Sequence, residues 1–138
     1  MSETIYSWDE RYRIGIDSID AAHEELFNAV ARLHRLIHEQ GKDKWACIQG
    51  IKFFKSYCLK HFADEEAYMR KKSYIGLEAH QKIHAEMRDV TLPAIELEMR
   101  EQSYSEESVE HFLHICSEWL ANHIIREDHK LIFVDDKI

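Results

Sequence analysis

Apolar residues recur every three or four positions in four separate blocks of the chain, the spacing of one face of an α-helix. The first block, "SIDAAHEELFNAVARLHRLIHEQG", carries its stripe at Ile19, Leu26, Phe27, Val30, Leu33 and Ile37 and predicts a helix from about 18 to 40. Ser18 is the candidate N-cap and Gly41 the stop signal. Asp43 can cap a second helix over 44–72, whose stripe runs Ile48, Ile51, Phe54, Cys58 and, further on, Met69. Gly50 interrupts it at a cost of about 1 kcal/mol relative to Ala. After the break "SYIG", a third helix is expected over 77–101, with Leu77, Met87 and Thr91 on one face and a bend at Pro93. "SYSEES" offers cap-type Ser and early Glu residues for a fourth helix, from near 105 to at least His123, along Val109, Phe112, Cys116, Trp119 and Leu120. Residues 1–17 read as an irregular arm whose Tyr6, Trp8, Tyr12 and Ile14 lie over apolar surface. Long helices joined by short connections predict an all-α fold, an antiparallel up-down four-helix bundle forming one domain over 1–138.

Polar residues break into each stripe. His23 falls four after Ile19 and four before Phe27; His61 and Glu65 lie between Cys58 and Met69; His80 and His84 lie between Leu77 and Met87; His123 follows Leu120. Every helix thus points at least one imidazole inward. In an antiparallel bundle the starts of odd helices sit beside the ends of even ones, so these six side chains converge at one end of the core. A later carboxylate can join them. Glu127, one turn after His123, is the choice a regular helix favours, because Asp128 falls about 140° off that face unless the helix loosens over 124–127.

An unpaired buried polar group costs about 1–3 kcal/mol, so an empty cluster of this size would use up much of a domain's stability of about 5–15 kcal/mol. Imidazole and carboxylate are natural ligands of iron, zinc or manganese, and a metal resolves the cost. With one carboxylate from the last helix the set has seven members, more than one first-row ion accepts. It suits two ions bridged by carboxylates, as in di-metal centres built in bundle cores.

Composition narrows the remaining choices. A net charge of −8 disfavours nucleic acid or an anionic membrane as partner. No apolar run approaches the roughly 20 residues of a membrane span, and "MSETIYSWDE" lacks the features of a secretion signal. Three Cys without close spacing fit a reducing compartment, and a cytoplasmic location is expected. Cys58 and Cys116 read as small buried hydrophobes. His34 and His38 form a second HxxxH pair, but His34 stands about 16 Å along the axis from His23 and cannot share its site. It reads as a surface or satisfied pair, with an adventitious metal site as the lesser alternative, and His111, His114 and His129 as solvated.

The arm "SWDERYRIGIDSIDAAHEELF", the segment "HFADEEAYM", "HQKIH" and "WLANHIIRED", in this order and spacing, resemble the hemerythrin family over almost the whole chain. The resemblance implies two non-haem irons that bind dioxygen reversibly. By position, His80, His84 and His123 resemble the trio on one iron, and His23 and His61 the pair on the other. Glu65 and Asp128 match the bridging carboxylates, beside an oxo or hydroxo group. The resemblance, not the periodicity, thus favours Asp128 over Glu127. It leaves the two-His iron one open position, and Leu120, with Trp119 beside it, matches the lining of the family's dioxygen pocket. Ala22 stands where the family commonly has Gln, and "YIG" where a Pro often follows the Tyr. Storage, delivery or sensing of dioxygen without catalysis is the expected function. The alternatives are a di-iron enzyme reducing peroxide or nitric oxide, and a sensor module with a signalling partner or an output domain beyond "DDKI".

Overall fold

A computed structural model describes residues 7–39 and 44–132. Helix α1 spans Asp17–His38, α2 Lys44–Lys71, α3 Leu77–Glu86, α4 Leu92–Glu101 and α5 Glu106–Arg126. A π-helical turn, Met87–Thr91, joins α3 to α4, so the two make one long rod. Helix α1 packs on α2 and α5, α2 on α3, and α4 on α5, which closes a bundle of four rods.

Pro93 explains the wide turn. It has no N–H for the carbonyl four residues back, and its ring would press on that carbonyl. The chain widens just before it, and the Leu92 N–H reaches back to the Met87 carbonyl. Gly50 has a use that its helix propensity hides: a Cβ there would lie 2.5 Å from Leu33 Cδ2, so its bare backbone lets the Leu33 side chain rest against α2. Ser105 caps α5 as expected, accepting from the Ser108 N–H at 3.1 Å.

Ser18 does not cap α1. The helix begins one residue before it, and the Ncap position, Ile16, makes no side-chain bond. The reason lies in Asp20, whose carboxylate is buried and accepts from the Ile14 and Gly15 N–H groups at 2.9 and 3.0 Å. That clamp, with Gly15 at φ +89°, turns the arm into the helix earlier than a Ser cap would. The arm itself is laid down as expected. Tyr12 is buried and stacks on Phe27 with centroids 5.1 Å apart, and Trp8 packs against the core. Tyr6, Gly41 and Asp43 lie outside the described residues.

The buried apolar side chains form two clusters. The larger includes Leu26, Phe27, Cys58, Phe62, Met87, Leu120 and Ile124. The smaller comprises Ile14, Ile16, Ile19, Met69 and Leu131, with Tyr68, Tyr74 and Leu77 against it. Along every rod the inward polar residues fall between a member of one cluster and a member of the other.

Candidate metal centre

Between those apolar layers lie His23, His61, Glu65, His80, His84, His123 and Asp128, none more than 6% exposed. Asp128 gets there by the loosening its position requires. Helix α5 ends at Arg126, Glu127 takes φ −111° and ψ −50°, and a 3₁₀ turn over Asp128–Lys130 rolls the Asp128 carboxylate inward. Glu127 stays half-exposed and pairs with Lys130 at 3.2 Å.

The two carboxylates divide their oxygens. Glu65 Oε1 lies 2.8, 3.3 and 3.9 Å from the Nε2 atoms of His80, His84 and His123, while its Oε2 lies 3.3 and 3.2 Å from those of His23 and His61. Asp128 does the same: Oδ1 is 3.1 and 3.2 Å from His80 and His123, and Oδ2 is 3.1 Å from His23. Three imidazoles therefore gather on one side of a pair of carboxylates and two on the other. The His123 Nε2 is 3.0 Å from that of His80 and 3.2 Å from that of His84, so the trio aims its nitrogens at a shared point.

Close approach has not satisfied these atoms. His23 Nδ1 and Nε2, Glu65 Oε2 and both Asp128 oxygens are buried without a hydrogen bond, because the short contacts are misaligned for one. Buried orphans of this kind need a cation. Without metal, protons take that role. Burial opposes a charge on His23, but the adjacent Asp128 and Glu65 carboxylates prevail and raise its pKa to about 9. The same balance of burial against Asp128 and Glu65 carries His80 up to about 9, and raises His123. Burial also opposes charge on Glu65, yet His123, His23, His61 and His80 hold it well below the usual carboxylate range. Asp128 resists both burial and the Glu65 charge, and His123 and His23 keep it below its ordinary value. The donor set fits a pair of cations.

A second layer fixes the imidazoles. The His84 Nδ1–H donates to Glu66 Oε2 at 2.7 Å, which leaves the Nε2 lone pair facing inward, and Gln81 donates to the other Glu66 oxygen at 3.3 Å. Phe62 stacks on His84 at 4.1 Å and 8°, and Trp119 on His123 at 4.4 Å and 11°. Neither role was read from the sequence for Glu66 or Phe62. Glu66 follows an inward Glu and faces α3, a position that the stripe alone does not mark. Trp119 covers the three-imidazole side and lines an open groove of about 450 Å³ with Ile83, Ile115, Asn122 and Arg126. Leu120 is buried in the larger apolar cluster one turn before His123. Ala22 is half-exposed beside the buried His23.

The other histidines are less uniform than expected. His111 pairs with Glu98 at 2.9 Å and His114 with Glu118 at 2.9 Å, both partly exposed. His129 is half-buried rather than solvated, and its Nε2 is enclosed without a hydrogen bond, because the 3₁₀ turn that directs Asp128 inward also tucks the next residue against the bundle. Cys47, Cys58 and Cys116 are buried, and burial pushes the Cys58 thiol up to about 12.

The family described as Hemerythrin HHE cation binding domain matches residues 14–132. The chain belongs to the hemerythrin family. Among similar proteins, the myohemerythrin of Theromyzon tessulatum is 31% identical over 125 residues, 91% of this chain and 89% of that one. A bacteriohemerythrin of Pseudomonas aeruginosa (strain LESB58) is 33% identical over 88% of this chain and 75% of its own length. One from Clostridium acetobutylicum is 27% identical, over 93% and 99%. The hemerythrin domain implies a di-iron centre, and the described residues hold buried His, Glu and Asp groups able to take metal ions. Among them no helix is long and apolar enough to cross a membrane.

Proposed function

We propose that the chain binds dioxygen reversibly at a non-haem di-iron centre. The observation that supports this reading best is the division of the carboxylate oxygens between three imidazoles and two. In this reading His80, His84 and His123 would hold one iron and His23 and His61 the other, with Glu65 and Asp128 shared between them. With one imidazole fewer, the second iron would have room for a small molecule. Bound iron supplies reversible electron donation to dioxygen. The chain's own part is to keep that place dry and narrow. Leu120 and Phe62 belong to the apolar layer below the centre, and Met69, Ile19 and Leu131 to the layer above it. Glu66 holds the ring of His84, and Trp119 stacks flat on that of His123 where both line the groove.

Apolar layers on both sides favour binding over turnover, because an enzyme reducing peroxide needs a proton donor beside the open position. Storage, delivery or sensing of dioxygen in the cytoplasm all suit such a site. Reduced, iron-loaded protein exposed to air should colour and bleach again on deoxygenation, with about two irons per chain. Irreversible oxidation in the first cycle, or a folded protein retaining much less iron, overturns the reading.

A further inference from the structure

His34 and His38 stand one turn apart on α1, and both reach Glu110 of α5. The His34 Nε2 lies 3.5 Å from Glu110 Oε1 and the His38 Nε2 3.2 Å from the same oxygen. The other ring nitrogen of His38 faces Glu106 Oε1 at 2.8 Å. A carboxylate only accepts, so the His38 Nδ1–H donates to Glu106, and the Nε2, which meets Glu110 at hydrogen-bond distance, is the nitrogen that would give its lone pair to a cation in place of that bond. Three electron-pair donors meet with no counter-charge among them, and a carboxylate behind the imidazole is the arrangement that orients metal-binding histidines.

We propose that His34, His38 and Glu110 form a second metal site, for zinc or a similar divalent cation, separate from the di-iron centre. Two imidazoles and one carboxylate make a three-ligand zinc set whose fourth position is open to solvent. Helical rise puts His34 about 16 Å from His23 along α1, so neither site can borrow the other's ligands. Side-chain exposure of 32% for His34 and 40% for His38 leaves a cation a direct approach, while Glu110, at 16%, is held between the helices. The chain's net charge of −8 favours cation capture. Glu106 is a positioning residue that acts through His38.

Iron-loaded full-length protein titrated with zinc, then freed of loose metal and assayed, should keep about one zinc per chain beyond its iron. Cobalt in place of zinc should give the strong visible absorption of a low-coordinate ion. His38→Leu and His34→Leu should each abolish that retention, and Glu106→Gln should weaken it about tenfold. All three should leave the iron count and the azide-dependent iron absorption unchanged. No added zinc, zinc gained only as iron is lost, or equal zinc in the His34→Leu and His38→Leu chains overturns the site. A failure of the dioxygen reading would appear in the iron count and the gas cycle, not in this titration.

Discussion

Two HxxxH pairs in this chain have identical spacing and opposite settings. His80 and His84 are 2% and 0% exposed, and they point between apolar layers at carboxylates closed off from bulk solvent. His34 and His38 sit at 32% and 40%, against carboxylates on a half-open face. Residue type and spacing are the same, so neither decides what the pairs are worth. Enclosure does. At the exposed pair water can complete every hydrogen bond, and a metal adds affinity but little stability. At the buried set a bound cation completes them, so metal binding and folding are coupled.

The largest effect should separate the two at once. Stripping all metal should expose the four orphaned atoms that face into the buried set, His23 Nε2, Glu65 Oε2 and both Asp128 oxygens, to a cost of about 1 kcal/mol or more each. That amounts to at least about 4 kcal/mol, or a fall in Tm of about 12 °C or more for a domain of this size. His38→Leu, by contrast, should change the Tm of iron-loaded protein by no more than about 2 °C. Calorimetry on the three samples checks this, and a metal-free chain melting where the loaded one does would contradict the burial argument.

Next comes the carboxylate of the last rod. Asp128→Asn should lower iron affinity by more than the 10–100-fold usual for residues behind the ligands, and loaded protein should lose iron on gel filtration. Glu127→Gln should retain a full complement, since its side chain stays outside with Lys130. Reversal of that order would mean that the 3₁₀ turn is not the conformation that holds metal.

Smaller again is the pH response, and it should belong to metal-free protein alone. The pKa values of His23 and His80 are raised to about 9 in the fold, so their contribution is complete below the unfolded value near 6.5. It is lost as pH rises through about 9. The lowered carboxylates Glu65 and Asp128 act in the opposite direction: their share is present above about 4 and lost in acid. Metal-free protein should therefore lose stability between pH 6 and 9.5. Loaded protein should not, if these imidazoles are held neutral as ligands as proposed. Urea midpoints across that range measure the difference.

How much of this was legible follows from where the signals lie. Helical spacing alone placed six inward polar residues and their convergence, because a stripe and its interruptions are both periodic. Asp128 was out of reach for periodicity, since it depends on the helix ending at Arg126, and "HIIRED" contains neither Gly nor Pro to announce that. The outer apolar layer was legible in part: Ile19 and Met69 lie on stripes and Ile14 on the arm, but Leu131 follows the turn at Asp128–Lys130, where no period is left to read. Ser18 looked like a cap because its residue type suits one, but Asp20, a tertiary clamp on the arm, sets the helix start instead. The gap is the same in each case. Sequence shows which face a residue occupies on a regular element, and says little about side chains that act through a neighbour.

Glu66 is the sharpest instance, and it offers the finest test of the comparison between the two pairs. It stands to His84 as Glu106 stands to His38: a carboxylate on the outer ring nitrogen that fixes which nitrogen faces the metal. In the buried pair the ring is also held by the flat stack on Phe62, at 4.1 Å and 8°. Two restraints share the task there, whereas the half-exposed His38 is held by Glu106 and Glu110 and meets the His34 ring edge-on. Glu66→Gln should therefore lower iron affinity by about tenfold, the low end for such partners, with the iron count at saturation unchanged. Pairing it with Phe62→Leu should cost more than the two single changes added together, because each restraint covers for the loss of the other. Strictly additive losses in the double-mutant cycle would show that stacking and hydrogen bond act on His84 independently.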